Sequence, residues 1–199
     1  AFGPEGCSLR YPFEQYNLLA ETCPIDYSFH GVFQHVDEAV LRELAELIEE
    51  GFPSFKAYTT YGYPMGDADL MRILPVMKSH GGLLTVHAES DGMTNYLRQA
   101  LSPDELSPIG QARTRPNEAE ASAVSEVLAA ARACGDAPVY IVHTSAHESV
   151  DCICLSRKEG QRNVYAETCP QYLLLTEDKF IEGGPLEGIK YMMAPPLRQ

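Results

Sequence analysis

The sequence predicts an α/β protein built on parallel strands, and three observations carry that expectation. Short apolar runs bounded by turn residues recur along the chain, amphipathic segments of ten or more residues separate them, and no GxGxxG follows any of the runs. Parallel neighbours need a crossover of about a dozen residues, which these intervening segments supply. Without a dinucleotide fingerprint the open doubly wound sheet loses its main support, so a barrel is favoured.

The strands are expected at Ile25 to Phe33, Ser54 to Tyr58, Leu83 to His87, Val139 to His143 and Val164 to Thr168. Asp37 is an N-cap candidate ahead of the stripe Val40, Leu41, Leu44, Leu47 and Ile48, and Gly51 closes that helix. A second stripe runs from Asp67 through Leu70, Ile73, Leu74 and Met77 to Gly81-Gly82. Glu118 to Ala133, rich in alanine and glutamate, predicts a third helix ending near Gly135, and His147 to Glu159 a fourth ending at Gly160. Leu101 to Pro116 holds three prolines and reads as a long loop of the kind that covers a site. Ile181 to Pro196, with Gly183-Gly184-Pro185 and Pro195-Pro196, also reads as loop. Residues 1–199 are taken as one domain.

With 199 residues and 45% hydrophobic content the chain can bury a substantial core. Its net charge of −13 repels phosphate backbones, so a small molecule is expected as partner and nucleic acid is not. The apolar runs are about four residues long against the roughly 20 that cross a bilayer, so no membrane partner is expected either. The start Ala1-Phe2-Gly3-Pro4-Glu5-Gly6 has neither the basic nor the apolar part of a secretory leader, and the lack of an initiating methionine places the expected N-terminus upstream. Six cysteines without CxxC pairs argue against a zinc knuckle or a disulfide framework and for a reducing, cytoplasmic compartment.

Three of the expected strands carry a potential metal ligand: Lys56, His87 and His143. In a (β/α)₈ barrel the carboxyl ends of the strands converge on one face, so these three could share a metal. A histidine at a strand end more often serves as a hydrogen-bonded structural residue, and only the coincidence of three raises the metal reading above that. A lysine inside the run Ser54-Phe55-Lys56-Ala57-Tyr58 is stranger, because desolvation favours its neutral amine, which can add carbon dioxide and become a carbamate that bridges two cations. Glu89, two residues past His87, either orients a ligand or is a solvated surface residue. His30 is read as a core or supporting residue within its strand; His35, His80 and His147 as solvated or capping; and Cys169 as packing.

Several of these segments also resemble those of a known family. Phe55-Lys56-Ala57-Tyr58-Thr59-Thr60-Tyr61 resembles the hydantoinase and dihydropyrimidinase segment that holds a carboxylated lysine, with a tyrosine five positions on. Val86-His87-Ala88-Glu89 and Val142-His143-Thr144-Ser145 resemble that family's following metal-histidine segments. Asp26 to His30, Arg115-Pro116 with Glu118 and Glu120, Glu167 to Leu173, and Pro195-Pro196-Leu197-Arg198 resemble further blocks in family order, so the likeness spans essentially the whole chain.

The resemblance implies a partial (β/α)₈ TIM barrel of an amidohydrolase, about strands three to seven. It implies two divalent metals, usually zinc, and carbon dioxide for the lysine, with Lys56, His87 and His143 as the ligand set of one metal. The HxH pair and the late aspartate that complete the other metal's set are absent from these residues, so the stretch alone is expected to be inactive. Tyr61 would be the catalytic and substrate-binding hydrogen-bond donor. Ala194 stands where many relatives have serine, and its backbone would hold the substrate's amide edge. The implied reaction opens dihydropyrimidines or 5-substituted hydantoins to N-carbamoyl amino acids in a homotetramer. Allantoinase or dihydroorotase chemistry is the near alternative, and a metal-free scaffold related to dihydropyrimidinase the distant one; that scaffold class lacks the lysine and histidines present here.

Overall fold

The computed structural model describes residues 2–199. Five strands, β1 (Gly31–Val32), β2 (Ser54–Tyr58), β3 (Leu83–His87), β4 (Val139–Ile141) and β5 (Val164–Ala166), pair in parallel in the order β1-β2-β3-β4-β5. Sequence order equals spatial order, with none of the reversal that defines a doubly wound sheet. Helix α1 (Arg10–Ala20) precedes β1; α2 (Glu38–Glu49), α3 (Asp67–His80), α4 (Asp91–Ala100), α5 (Pro108–Arg113), α6 (Asn117–Ala133) and α7 (His147–Lys158) fill the connections; α8 (Pro170–Leu174) and α9 (Pro185–Gly188) follow β5. Helix α2 packs on α3, α3 on α6 and α6 on α7, forming a row of helices outside the sheet. This is a sector of a (β/α)₈ barrel.

The expected helices form for the expected reasons. Asp37 accepts a hydrogen bond from the Val40 amide at 2.8 Å and opens α2, whose Val40, Leu44, Leu47 and Ile48 enter the core. Gly81, at φ 76°, closes α3 in the left-handed region that glycine occupies without cost. Strand alternation then sorts the sheet. Phe55, Ala57, Leu84, Val86, Val139 and Val164 face the helices with no exposure, while Lys56, Tyr58, Thr85 and His87 face the other way. Gly31 is required by crowding, since a Cβ there would lie 2.5 Å from Phe55 and 2.8 Å from Phe13.

Several expectations need correction. The first strand shrinks from Ile25–Phe33 to Gly31–Val32, because only these two residues register with Phe55 and Lys56, and Asp26, Tyr27 and Ser28 lie in the open. His30 is therefore outside a strand and exposed, with its Nδ1 2.6 Å from the Ser54 hydroxyl. The fourth strand stops at Ile141, before His143, which sits at φ 39° and cannot extend a ladder. The fifth ends at Ala166. The two stretches read as loops contain short helices, including α5, capped by the Ser107 hydroxyl on the Gly110 amide at 3.2 Å, and α9.

Candidate metal centre

The inner face of β2 presents Lys56 half-buried, its Nζ 5.3 Å from the centre of the Tyr58 ring. Burial drives its pKa down to about 8, against the opposing charge of Glu167. His87 ends β3 opposite Tyr58 in the parallel register and is 2% exposed. Its Nε2 lies 2.6 Å from Glu89 Oε2, and its Nδ1 lies 3.0 Å from Nε2 of His143, which the turn after β4 brings across.

These contacts assign the His87 proton. Burial pushes the Glu89 carboxyl up, but the His87 hydrogen bond and the Arg115 guanidinium outweigh it and hold the group below its ordinary value. An ionised carboxylate only accepts, so His87 Nε2 donates to it, and Nδ1 is the ring nitrogen aimed at His143. Burial, followed by the neighbouring His87 and Lys56, lowers the His143 pKa to about 4, so that ring is neutral. Its Nδ1 is buried and finds no hydrogen-bond partner among the described residues.

Two imidazole nitrogens facing each other at 3.0 Å suit a shared cation, since ligands about 2.0–2.1 Å from a tetrahedral zinc lie about 3.3 Å apart. Among the described residues no group of three His, Cys, Asp or Glu side chains could hold a metal. The third donor here is a lysine, which becomes a ligand only as its carbamate. The donor set therefore fits a divalent cation on condition that Lys56 is carboxylated.

Tyr61 sits in the turn after β2 at φ 75°, with its ring 5.0 Å from the His87 ring and 40% exposure. The turn is tied down by Thr59, whose amide donates to the His87 carbonyl at 3.1 Å and whose hydroxyl donates to the Glu89 carbonyl at 2.8 Å. Burial raises the Tyr61 pKa, with Arg115 pulling the other way, so the phenol keeps its proton. The structure thus brings His87, His143 and Tyr61 together and couples Lys56 to His143 electrostatically. Ala194 stands apart: it precedes a cis peptide to Pro195, whose carbonyl accepts from the Tyr172 hydroxyl at 2.7 Å, and it is not among the residues lining the cavity of about 870 Å³ beside Arg115, Ser145, Tyr172 and Arg198.

Sequence reasoning missed a buried polar cluster behind the histidines. Glu89 is fully buried, which removes the solvated reading, and it is paired with Arg115. Glu120, 2% exposed, accepts from the Ser145 and Ala146 amides at 3.0 Å each and from Arg198 at 3.2 Å, fixing the segment that follows His143. The available signal was a glutamate on the apolar face of an alanine-rich helix, where an unpaired charge would be costly.

No family model matches the chain. It is 41% identical over 199 residues to the D-phenylhydantoinase of Escherichia coli strain K12 / DH10B, covering 99% of this chain and 42% of that protein. This segment is similar to hydantoinases over nearly its whole length. The dihydropyrimidinase of Brevibacillus agri NCHU1002 superposes with a TM-score of 0.91 at 37% identity, over 99% of this chain and 43% of that one. The D-hydantoinase of Bacillus sp. AR9 gives 0.93 at 35%, over 100% and 44%. The chain thus spans about 42% of the length of the curated hydantoinases it matches.

Proposed function

We propose that the complete protein hydrolyses cyclic amides, opening dihydropyrimidines or 5-substituted hydantoins to N-carbamoyl amino acids. The observation that carries this reading is the pair His87 Nδ1 and His143 Nε2 at 3.0 Å, beside a desolvated lysine, in a segment homologous to D-phenylhydantoinase. His87, His143 and carboxylated Lys56 would hold one divalent cation, zinc by family habit. Lys56 would also reach a second cation whose other ligands lie outside these residues. When bound, the cations supply a water of lowered pKa and polarise the carbonyl it attacks.

The remaining roles belong to the chain itself. Lys56, with its pKa near 8, offers carbon dioxide far more free amine than an ordinary lysine of about 10.4. Glu89 holds His87 in the tautomer whose Nδ1 lone pair points inward. Tyr61, protonated and close to the His87 ring, donates to the oxygen on which charge develops as the tetrahedral centre forms, a contribution of about 3–4 kcal/mol in comparable sites. The backbone at Ala194, which precedes the Pro195 carbonyl held by the Tyr172 hydroxyl, is proposed to hold the ring's amide edge.

The test is to purify the complete protein with zinc and bicarbonate and to follow hydantoin and dihydrouracil opening by the N-carbamoyl product. Turnover of either ring supports the reading. A metal-loaded, carboxylated protein that opens neither contradicts it.

A further inference from the structure

Arg115 is 4% exposed and belongs to neither the proposed ligand set nor the proposed donor. Its Nη1 donates to the Glu89 oxygen that also receives the His87 Nε2 proton. Its guanidinium carbon stands 5.1 Å from the centre of the Tyr61 ring. Its own backbone is held on both sides: the amide donates to the Ala112 carbonyl at 3.0 Å, and the carbonyl accepts from Arg198. One planar cation is thus fixed from behind and faces both the carboxylate that orients His87 and the ring of Tyr61.

We infer that Arg115 is a positioning residue that locks the His87 orientation and the Tyr61 ring to each other. The inference rests on the proposed function for its catalytic consequence, while its geometric content does not. A planar guanidinium can pair with a carboxylate through its edge and stack on an aromatic ring through its face, whereas lysine offers only a point charge. Glu89 Oε1 has no hydrogen-bond partner among the described residues, so Oε2 alone carries the contacts to His87 and Arg115. Loss of Arg115 would therefore leave Glu89 without the cation that holds it. A purely structural ion pair would stabilise the fold without linking Tyr61 to the histidine.

The complete protein in cobalt-substituted form tests this with Arg115→Met, Arg115→Lys and the double variant Arg115→Lys with Tyr61→Phe. Arg115→Met is expected to shift the visible cobalt spectrum and weaken metal affinity about 10–100-fold. Should that variant fail to fold, Glu89→Gln reads the same link, since it keeps the side chain's size and removes the charge. Arg115→Lys is expected to keep its metal, lower kcat about 10–100-fold with little change in KM, and cause no further loss when combined with Tyr61→Phe. A fluorotyrosine placed at position 61 reports the ring without turnover, and its fluorine resonance is expected to move in Arg115→Lys. An unchanged cobalt spectrum and metal affinity overturn the His87 link. Multiplicative losses in the double variant, or an unmoved fluorine resonance, overturn the Tyr61 link. Because the spectra and the affinity need no substrate, they decide both links even in a protein that opens neither ring.

Discussion

On the helix-covered side the sheet buries Phe55, Ala57, Leu84, Val86, Val139, Ile141 and Val164 to 1% exposure or less, whereas the same strands turn Lys56, Tyr58, Thr85, His87, Tyr140 and Tyr165 to the other side, where Tyr165 is 45% exposed. Period-two alternation produces both faces from adjacent residues. The first face holds only carbon against carbon and serves stability. The second collects titratable groups whose burial costs stability: an amine pulled down to about 8 and an imidazole pulled down to about 4. Changing one residue along β2 therefore changes which property is damaged.

The largest effect is expected on the inner face. Lys56→Met in the complete protein should remove the carbamate and lower kcat by about a thousandfold or more, since several kcal/mol of cation assistance go with it. The metal-free variant should melt no lower than the parent, because a poorly solvated amine has been replaced by an apolar chain. A large drop in melting temperature with activity retained would show that Lys56 is structural. One residue away, Phe55→Ala should cost about 3–5 kcal/mol in denaturant unfolding while each folded molecule keeps its metal. Phe55 is fully buried against Phe13 and Phe33, so the cavity has little room to collapse. Metal loss at unchanged stability would reverse the roles of the two faces.

Tyr61→Phe should lower kcat by about two to three orders of magnitude with KM nearly unchanged, since its hydrogen bond forms chiefly in the transition state. Unaltered kcat at full metal content would reduce Tyr61 to a packing residue. The smallest effects are pH effects. His143 binds its proton less readily folded than unfolded, so the unfolded chain gains protons first on acidification. The metal-free protein should lose up to about 3 kcal/mol as pH falls from about 6.5 to about 4, and His143→Gln should flatten that slope. For Lys56 the neutral amine is the reactive form, so bicarbonate-dependent recovery of metal binding should rise with pH around a midpoint near 8. Recovery that falls with pH would contradict the carbamate.

Much of the scaffold was legible because local signals agreed with the tertiary outcome. Asp37, the Leu44 and Leu47 stripe and Gly51 bracket α2, and the observed helix matches within two residues. Helix α1 escaped because its buried residues are only Pro12 and Phe13, too few to draw a stripe. Helix α4 buries only Thr94, although Ser90 caps it. At the site, the strand-end position of His87 was readable from spacing and resemblance, and orienting a ligand was one of two readings for Glu89, but its link to Arg115 and the links of Arg198 to Arg115 and Glu120 were not. Those residues meet across 26 to 83 positions of sequence, and only the folded sheet brings them into contact. His143 was placed inside a strand because nothing local announces its left-handed backbone.

The proposed site has a divalent cation on the inner face between His87 Nδ1 and His143 Nε2, with Lys56 as its carbamate. Anomalous diffraction from crystals of the zinc-loaded complete protein tests it most directly. A zinc peak within bonding distance of both nitrogens is expected, with density for one added carbon dioxide on the Lys56 amine. A peak bound elsewhere, or an unmodified Lys56 in an active zinc-loaded protein, would contradict it.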